Sequence, residues 1–357
     1  MATIKDVARQ AGVSVTAVSR ALNNYPDISA STKSRILKVI EELRYYPKAS
    51  ARHLVTQRTH TIGVFYPSFD GPGLRQPFIA HVLDQFKNRM GDAGYDILLF
   101  SNTRAPFDHF DLLERVRYRD VDGVLLLGTP DESIQQLVQA NVPLVGVDHS
   151  AQCARGGSVS SDNRRAIHDL VGVLYDNGYR KLAFVHGPLD LPVSMERLQG
   201  FYSGMSVIGL TPRSEWVYNG DFSLEGGERA GTELLRCQDR PDVVVCAADV
   251  SAIGVLRSFM KEGIRVPDEI SVVGFDDIDA ATYVYPQLTT IRQNKDEMAE
   301  CAARIMVQLI ENESQDIPMH YVLQTELVVR ESTRPLYVRP AYFTPRVADL
   351  SPGVYSG

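Results

Sequence analysis

Residues 3–23 read Thr3-Ile-Lys-Asp-Val-Ala-Arg-Gln-Ala-Gly-Val-Ser-Val-Thr-Ala-Val-Ser-Arg-Ala-Leu-Asn23. Thr3 is a helix-capping residue, and Asp6, three positions on, suits the positive end of a helix dipole. Ile4, Val7 and Ala8 then share one face at helical spacing. Gly12 permits a backbone turn that costs other residues a steric penalty, and Ser14 caps a second helix running to Leu22. Two short helices about a tight glycine turn make a helix-turn-helix. A third helix is expected after Pro26, capped by Ser31, with Ile36, Val39, Ile40 and Leu43 recurring as the floor on which the pair packs.

In such a motif the second helix enters the major groove with its early side chains at base edges. Val15, Thr16 and Arg20 are therefore the candidates for base readout: Val15 against a thymine methyl, Thr16 by hydrogen bond or contact, Arg20 forked onto guanine O6 and N7. Thr3, Ser14, Ser19 and Asn23, with backbone N–H groups at the helix starts, are the candidates for holding phosphates. The alternative is a small three-helix protein-interaction domain. Basicity, caps and turn coincide here and favour DNA.

The charge distribution supports that choice. Residues 1–60 carry ten Lys/Arg against four acids, a net +6, whereas the rest of the 357-residue chain is at −13. A basic head on an acidic body suits a polyanion, since Lys and Arg that neutralise phosphates supply sequence-independent affinity; a solvated basic face is the bland alternative. The length allows two or three domains with sizeable cores. With 44% hydrophobic and 23% charged residues the chain is neither disordered nor fibrous. Apolar runs such as Asp242-Val-Val-Val-Cys-Ala-Ala248 stop well short of the ~18 residues a membrane helix needs, and no basic-then-apolar leader opens the chain. The protein is read as cytoplasmic, with no membrane partner. Cys153, Cys237, Cys246 and Cys301 lie far apart without Cys-x-x-Cys spacing and are read as reduced packing residues.

The run Thr3-Ile-Lys-Asp-Val-Ala-x-x-Ala-Gly-Val-Ser-x-x-x-Val-Ser-Arg-x-Leu-Asn23 closely resembles the head of the lac repressor (LacI/GalR) family of bacterial transcription regulators, and the resemblance extends to about residue 334. It implies a homodimer on a pseudo-palindromic operator, with affinity controlled by a small molecule such as a sugar or sugar phosphate. It also marks Ala51-Arg52-x-Leu54 as a hinge helix whose leucine enters the minor groove at the operator centre, so Leu54 is the expected wedge. Unstacking a base step costs a few kcal/mol, which two symmetric hinges would share. A linker leucine packed on the body is the alternative. Pro47 stops the third helix, and the few residues after it are marginal as a helix alone in water. Lys48 replaces the family's usual capping asparagine and Val55 a frequent basic residue, so the hinge is expected to be less preorganised unless Ser50 caps it.

From residue 61 onward short β-branched runs alternate with helical stretches. Strands are expected at 61–66, 95–101, 123–127, 144–148, 181–186, 243–247 and 270–275. The alternation predicts an α/β fold: parallel sheets flanked by helices in two lobes, the two-lobed periplasmic-binding-protein-like architecture by resemblance, preceded by the all-α head. The expected organisation is a head at 1–46, a hinge at 47–60, an effector-binding and dimerisation domain at 61–334 and an extension at 335–357. Within the large domain one subdomain takes about 61–160 and 292–320, the other about 161–291 and 321–334. Open parallel sheets bind ligands at the carboxyl ends of their strands, which places a pocket between the lobes.

Asp148 ends Pro143-Leu-Val-Gly-Val-Asp148, Asp276 ends Ser271-Val-Val-Gly-Phe-Asp276, and Arg197 follows a strand and loop. Carboxylates and a guanidinium converging on a cleft suit vicinal hydroxyls, each of which donates and accepts. Phe222 and, from the opposite lobe, Phe78 offer flat apolar faces to a sugar ring. Strand-end aspartates also cap helices, and a lone phenylalanine is usually core. By resemblance Asp148, Arg197, Phe222, Asp276 and Gln293 fall on family effector positions. Ala248, in Cys246-Ala-Ala-Asp249, stands where the family commonly has asparagine, which removes an amide from the pocket. Thr289-Thr-Ile-Arg-Gln293 resembles the family's last crossing between lobes. The 335–357 extension carries four prolines and no leucine heptad; it is either a mobile tail or lies against the body.

The leading reading is a ligand-controlled transcription factor, a repressor of carbohydrate-utilisation genes. A sugar-binding protein for transport or sensing is the alternative, which the body alone supports and the basic head opposes. An enzyme is not expected: phosphate-loop, dinucleotide, nucleophile-elbow and zinc-helix signatures are all missing, and neither cofactor nor metal is implied.

Overall fold

The computed structural model describes residues 2–22, 25–45, 58–66, 73–100, 112–128, 135, 137–138, 142–149, 153–311 and 319–344. The chain forms two compact units, residues 1–59 and 60–357.

In the first unit, α1 (Ile4–Ala11) is closed by a reciprocal capping box, in which Thr3 Oγ1 accepts from Asp6 N–H and the Asp6 carboxylate accepts from Thr3 N–H at 3.0 Å. Gly12 adopts the left-handed conformation the turn needs (φ 64°, ψ 41°). Ser14 Oγ accepts from Ala17 N–H at 3.1 Å at the start of α2 (Val15–Leu22). The next helix, α3 (Ala30–Glu42), begins earlier than expected: its cap is Ser29, not Ser31. The backbone at Ser29 is still extended, so its hydroxyl faces the free Thr32 N–H at 3.2 Å, whereas Ser31 already lies inside the helix. Val7, Ala8, Ala11, Val18, Ala21, Ile36 and Val39 form the small core.

The second unit runs β1 (Thr61–Phe65), α4 (Pro77–Asp92), β2 (Asp96–Leu99), α5 (Leu112–Arg119), β3 (Gly123–Leu127), β4 (Leu144–Val147) and β5 (Gly156–Ser161). It continues through α6 (Asn163–Asp176), β6 (Leu182–His186), α7 (Pro192–Val207), β7 (Val217–Asn219), α8 (Leu224–Arg236), β8 (Val243–Cys246) and α9 (Asp249–Lys261). Last come β9 (Ser271–Asp276), α10 (Ala280–Tyr283), β10 (Thr289–Gln293), α11 (Lys295–Glu311), β11 (His320–Leu323) and β12 (Thr325–Val328). These strands build two six-stranded sheets, ordered β11-β5-β4-β3-β1-β2 and β12-β10-β9-β8-β6-β7. Every pairing is parallel except β10 with β12. The seven expected strands form, each within two residues of the expected ends.

Helices cover both faces of each sheet, which is why the central strands are unbroken apolar runs. Phe78, Val82, Phe86 and Met90 of α4 pack with Met298, Ile305 and Met306 of α11 on one face of the first sheet. In the second, α6 and α7 cover one face and α8 and α9 the other. The chain passes between lobes after β5, between β10 and α11, and at Gln324. The last crossing therefore differs from the expected return at residue 321: β11 pairs with β5 in the first sheet, from Tyr321↔Val159 to Leu323↔Ser161, and only β12 joins the second. The lobes touch where Ile278, in the loop after β9, enters the core of the first lobe. Lys295 Nζ also ties them, donating to the carbonyls of Asp276 and Asp277 at 2.9 and 2.7 Å.

Residues 335–344 lie against the second lobe. Leu336 and Phe343 pack on its core, Asn177 exchanges hydrogen bonds with the Tyr337 backbone, and Tyr342 and Arg339 both reach Asp176. Among the described residues no helix is long and apolar enough to cross a membrane.

Candidate functional site

Two groups of residues carry chemistry. On the head, Val18 and Ala21 turn inward, while Val15, Thr16 and Arg20 stand exposed on the outer face of α2. That division follows from the helical period, which puts positions 15, 16 and 20 opposite the core stripe. The Arg20 guanidinium pairs with Asp27 and lies 5.9 Å from the Tyr25 ring centroid. An exposed pair of this kind is worth at most about 1 kcal/mol, so Arg20 is held in place at little cost to its release. The Thr3 hydroxyl spends its one proton on the Asp6 carboxylate within the capping box, whereas Ser14 Oγ accepts from Ala17 N–H at the α2 cap and keeps its own proton to donate. Ser19 is half-buried on α2. Asn23, Leu54, the expected wedge, and the hinge positions Lys48 and Val55 lie outside the described residues.

The second group sits at the carboxyl ends of strands in the second unit, centred on Arg197 of α7. Arg197 is 3% exposed, Asp148 7%, Asp276 2% and Gln293 1%, an unusual burial for four polar side chains. Arg197 donates from Nε to Asn163 Oδ1 at 2.8 Å and from Nη1 to the Ala247 carbonyl at 2.6 Å. Its guanidinium carbon is 3.8 Å from the Phe275 ring centroid and 5.9 Å from that of Phe222. Asp276 Oδ1 accepts from Gln293 Nε2 at 2.8 Å, with Arg197 Nη1 3.7 Å away. Asn163, the first residue of α6, also donates to the Ser161 carbonyl and to Glu196 Oε2, at 3.0 and 3.1 Å.

Burial raises the carboxyls of Asp148, Glu196 and Asp276 above the usual range, that of Asp276 to about 6, with Arg197 opposing the shift at each. Several polar atoms are left without a partner among the described residues: Asp148 Oδ1, Ser161 Oγ, Ser194 Oγ, Asp276 Oδ2 and Gln293 Oε1. Burying a polar group unbonded costs ~1–3 kcal/mol, so the orphaned atoms of Asp148, Asp276 and Gln293 beside Arg197 make this cluster the candidate for binding a further molecule. Backbone strain collects there too. Asp148, Phe222 and Asp276 hold φ at 55°, 49° and 121°, which non-glycine residues adopt only where the surroundings impose it.

Phe222 is half-buried and seated directly on Gly187, where a Cβ would come within 2.3 Å of the ring. Phe78, by contrast, is fully packed in the first lobe's core, the outcome weighed against sugar stacking. The His186 ring nitrogen Nδ1 lies 2.6 Å from the Gly187 carbonyl, as expected of a structural histidine. Ala248 is buried at the start of α9 and caps nothing; the neighbouring Ala247 carbonyl holds Arg197 instead. Asn163, Glu196, Ser161, Ser194 and that carbonyl were not singled out from sequence. Asn163 opens a helix just after Asp162, a signal for a crossing, but a backbone carbonyl has no sequence signature. A cavity of about 410 Å³ opens at the crossings, bordered by His81, Arg292, Gln293, Lys295, Thr325 and Glu326. It meets the Arg197 group through Gln293.

A helix-turn-helix head followed by two α/β lobes, with a buried polar cluster at their strand ends, defines a small-molecule-responsive DNA-binding regulator. Residues 3–48 match the model of bacterial regulatory proteins of the lacI family, and residues 171–333 that of the periplasmic binding protein-like domain. The chain is 31% identical to the HTH-type transcriptional repressor PurR of Photobacterium profundum, over 94% of this chain and 100% of that protein. Among solved structures it is similar to the transcriptional regulator CelR–cellobiose complex (30% identity, TM-score 0.69, covering 93% of this chain and 100% of that one). It is also similar to the lac repressor dimer bound to operator and the anti-inducer ONPF (25% identity, TM-score 0.81, covering 93% and 99%). The chain belongs to the lacI family of bacterial regulatory proteins.

Proposed function

We propose that this protein is an effector-controlled transcriptional repressor that binds a pseudo-palindromic operator as a homodimer and is not an enzyme. The observation that carries the reading is the occurrence, in one chain, of an exposed Val15–Thr16–Arg20 face on a capped helix-turn-helix and of a buried polar cluster in which Asp148 Oδ1, Asp276 Oδ2 and Gln293 Oε1 have no bond partner. Val15, Thr16 and Arg20 read base edges; Ser14, Ser19 and Asn23 hold phosphates, while Thr3, whose donors are spent on Asp6, positions the first helix; Leu54 from each subunit wedges the minor groove. Asp148, Arg197, Asp276, Gln293 and Phe222 bind a small hydroxylated effector, a role supported by the relative solved with cellobiose. Three crossings leave the lobes free to rotate about one hinge, and in a dimer that rotation moves the paired heads. Its setting is wherever the DNA is, the cytoplasm.

Selection of the full-length protein against randomised duplex DNA tests the DNA half. The expected product is a two-fold symmetric site, and Arg20→Ala relaxes preference at one guanine per half-site by ~1–3 kcal/mol while leaving flanking positions alone. Enrichment of no symmetric site, or an unchanged site with Arg20→Ala, would overturn the assignment.

A further inference from the structure

Arg20 does not stand alone on the outer face of α2. Its Nη1 pairs with the Asp27 carboxylate, and its guanidinium carbon lies near the Tyr25 ring, 5.9 Å from the centroid. The backbone sets up both contacts. Tyr25 N–H donates to the Arg20 carbonyl at 3.1 Å, which folds the segment after α2 back beside a residue of its last turn, and Asp27 follows two positions before the Ser29 cap of α3. All three side chains are about half exposed, so the group lies on the surface offered to DNA. A carboxylate in that place works against a head at net +6 whose partner is a polyanion, because it repels phosphates. The pairing occupies one branch of the guanidinium. Nη1 goes to Asp27, whereas the Nε–Nη2 edge, with its two parallel N–H groups, matches guanine O6 and N7.

From this geometry we infer that Asp27 is a specificity-determining residue of the DNA interface: it holds Arg20 by Nη1 so that the Nε–Nη2 edge is presented to a guanine. The inference rests on reading Arg20 as a base contact. An arginine surrenders rotamer freedom when it binds, and a guanidinium already held surrenders less. A held guanidinium is also kept from swinging onto a neighbouring phosphate, where it would bind every sequence equally well. The pair is weak in water and strengthens where a groove excludes solvent and salt. The charge of Asp27 thus lowers affinity for all DNA, and its grip on Arg20 supplies discrimination in exchange.

Dissociation constants of the full-length protein at fixed salt test this on three duplexes. They are the two-fold symmetric site recovered by selection, the same site with the Arg20-dependent guanine pair changed to adenine–thymine in both half-sites, and an unrelated sequence of equal length. Asp27→Asn is expected to bind the unrelated duplex at least about 3-fold more tightly, because one negative charge leaves each head. It should also lose about 10-fold of the discrimination between the first two duplexes. In Arg20→Ala, which lacks the guanidinium, adding Asp27→Asn should leave the residual discrimination unchanged. Discrimination unaltered by Asp27→Asn in the otherwise wild-type protein overturns the inference. A loss that persists in the Arg20→Ala background overturns it too, since Asp27 would then read a base itself, and so does uniformly weaker binding to all three duplexes, the mark of a damaged head. If Arg20→Ala relaxes no position of the selected site, the reading of Arg20 falls and this inference falls with it.

Discussion

Asp276 shows how far a single residue can be pushed by its place in the fold. It ends a buried strand, so its carboxyl is desolvated and raised to about 6 despite Arg197 and Gln293. A carboxyl raised by folding holds a proton in the native chain over a range where the unfolded chain has lost it. Its contribution to stability is therefore complete below the unfolded value near 4 and is lost as pH climbs through about 6. Thermal unfolding followed from pH 4 to 7 should show stability falling across that window, and Asp276→Asn should flatten the slope while abolishing effector binding. A slope unchanged in Asp276→Asn would show that the carboxyl does not carry it. The residue was legible in sequence because a polar side chain closing an apolar run at a strand end is conspicuous, as with Asp148. Arg197's partners were less so: Asn163 reaches it from the neighbouring helix, and the Ala247 carbonyl has no side-chain signal at all. Phe78 misled because aromatic stacking and core packing look the same in sequence; only burial separated them.

Among elements, strands rich in Val, Ile and Leu were readable and the small-residue strand was not. β5, Gly156-Gly-Ser-Val-Ser-Ser161, lacks the β-branched run that marks a strand because α11 packs so closely that a Cβ on Gly157 would lie 2.5 Å from Ile305. The same logic governs the proline-bearing segment at 335–344. Tyr342 lies over Gly172 of α6, where an added Cβ would come within 2.7 Å of the phenol oxygen. Gly172→Val should lift this strap, and tryptic cleavage at Arg339 should accelerate about tenfold, as expected when roughly 1–2 kcal/mol of local packing is lost. Tyr342→Phe, which loses only the bond to Asp176, should accelerate it by a few-fold at most. Equal cleavage of wild type and Gly172→Val would show that the strap is held elsewhere. At the head, Gly12→Ala forces a side chain into a left-handed turn and should destabilise the helix-turn-helix by about 1 kcal/mol, read as weaker DNA binding with body unfolding unchanged.

For the whole molecule, the asymmetry of charge and the repetition of two sheets were both visible before any coordinates: a +6 head, a −13 remainder, and apolar runs at regular intervals. What sequence could not supply was the path of the last crossing, because β11 and β12 are separated by one residue, Gln324, and differ only in which sheet they meet. The head's charge predicts that operator affinity falls at least about 10³-fold between 50 and 200 mM salt, since a dimer neutralising six or more phosphates releases their counterions. A shallow salt dependence would argue against a DNA interface on this face. The central claim is that occupancy of the Arg197 cluster is felt at the operator. It is tested most directly by the operator dissociation constant, measured by fluorescence anisotropy at fixed salt with and without saturating sugar, for wild type and Arg197→Ala. The account predicts a ligand-dependent change of ~5–150-fold in wild type and none in Arg197→Ala, with the two proteins alike when no sugar is present. A full response retained by Arg197→Ala would contradict it.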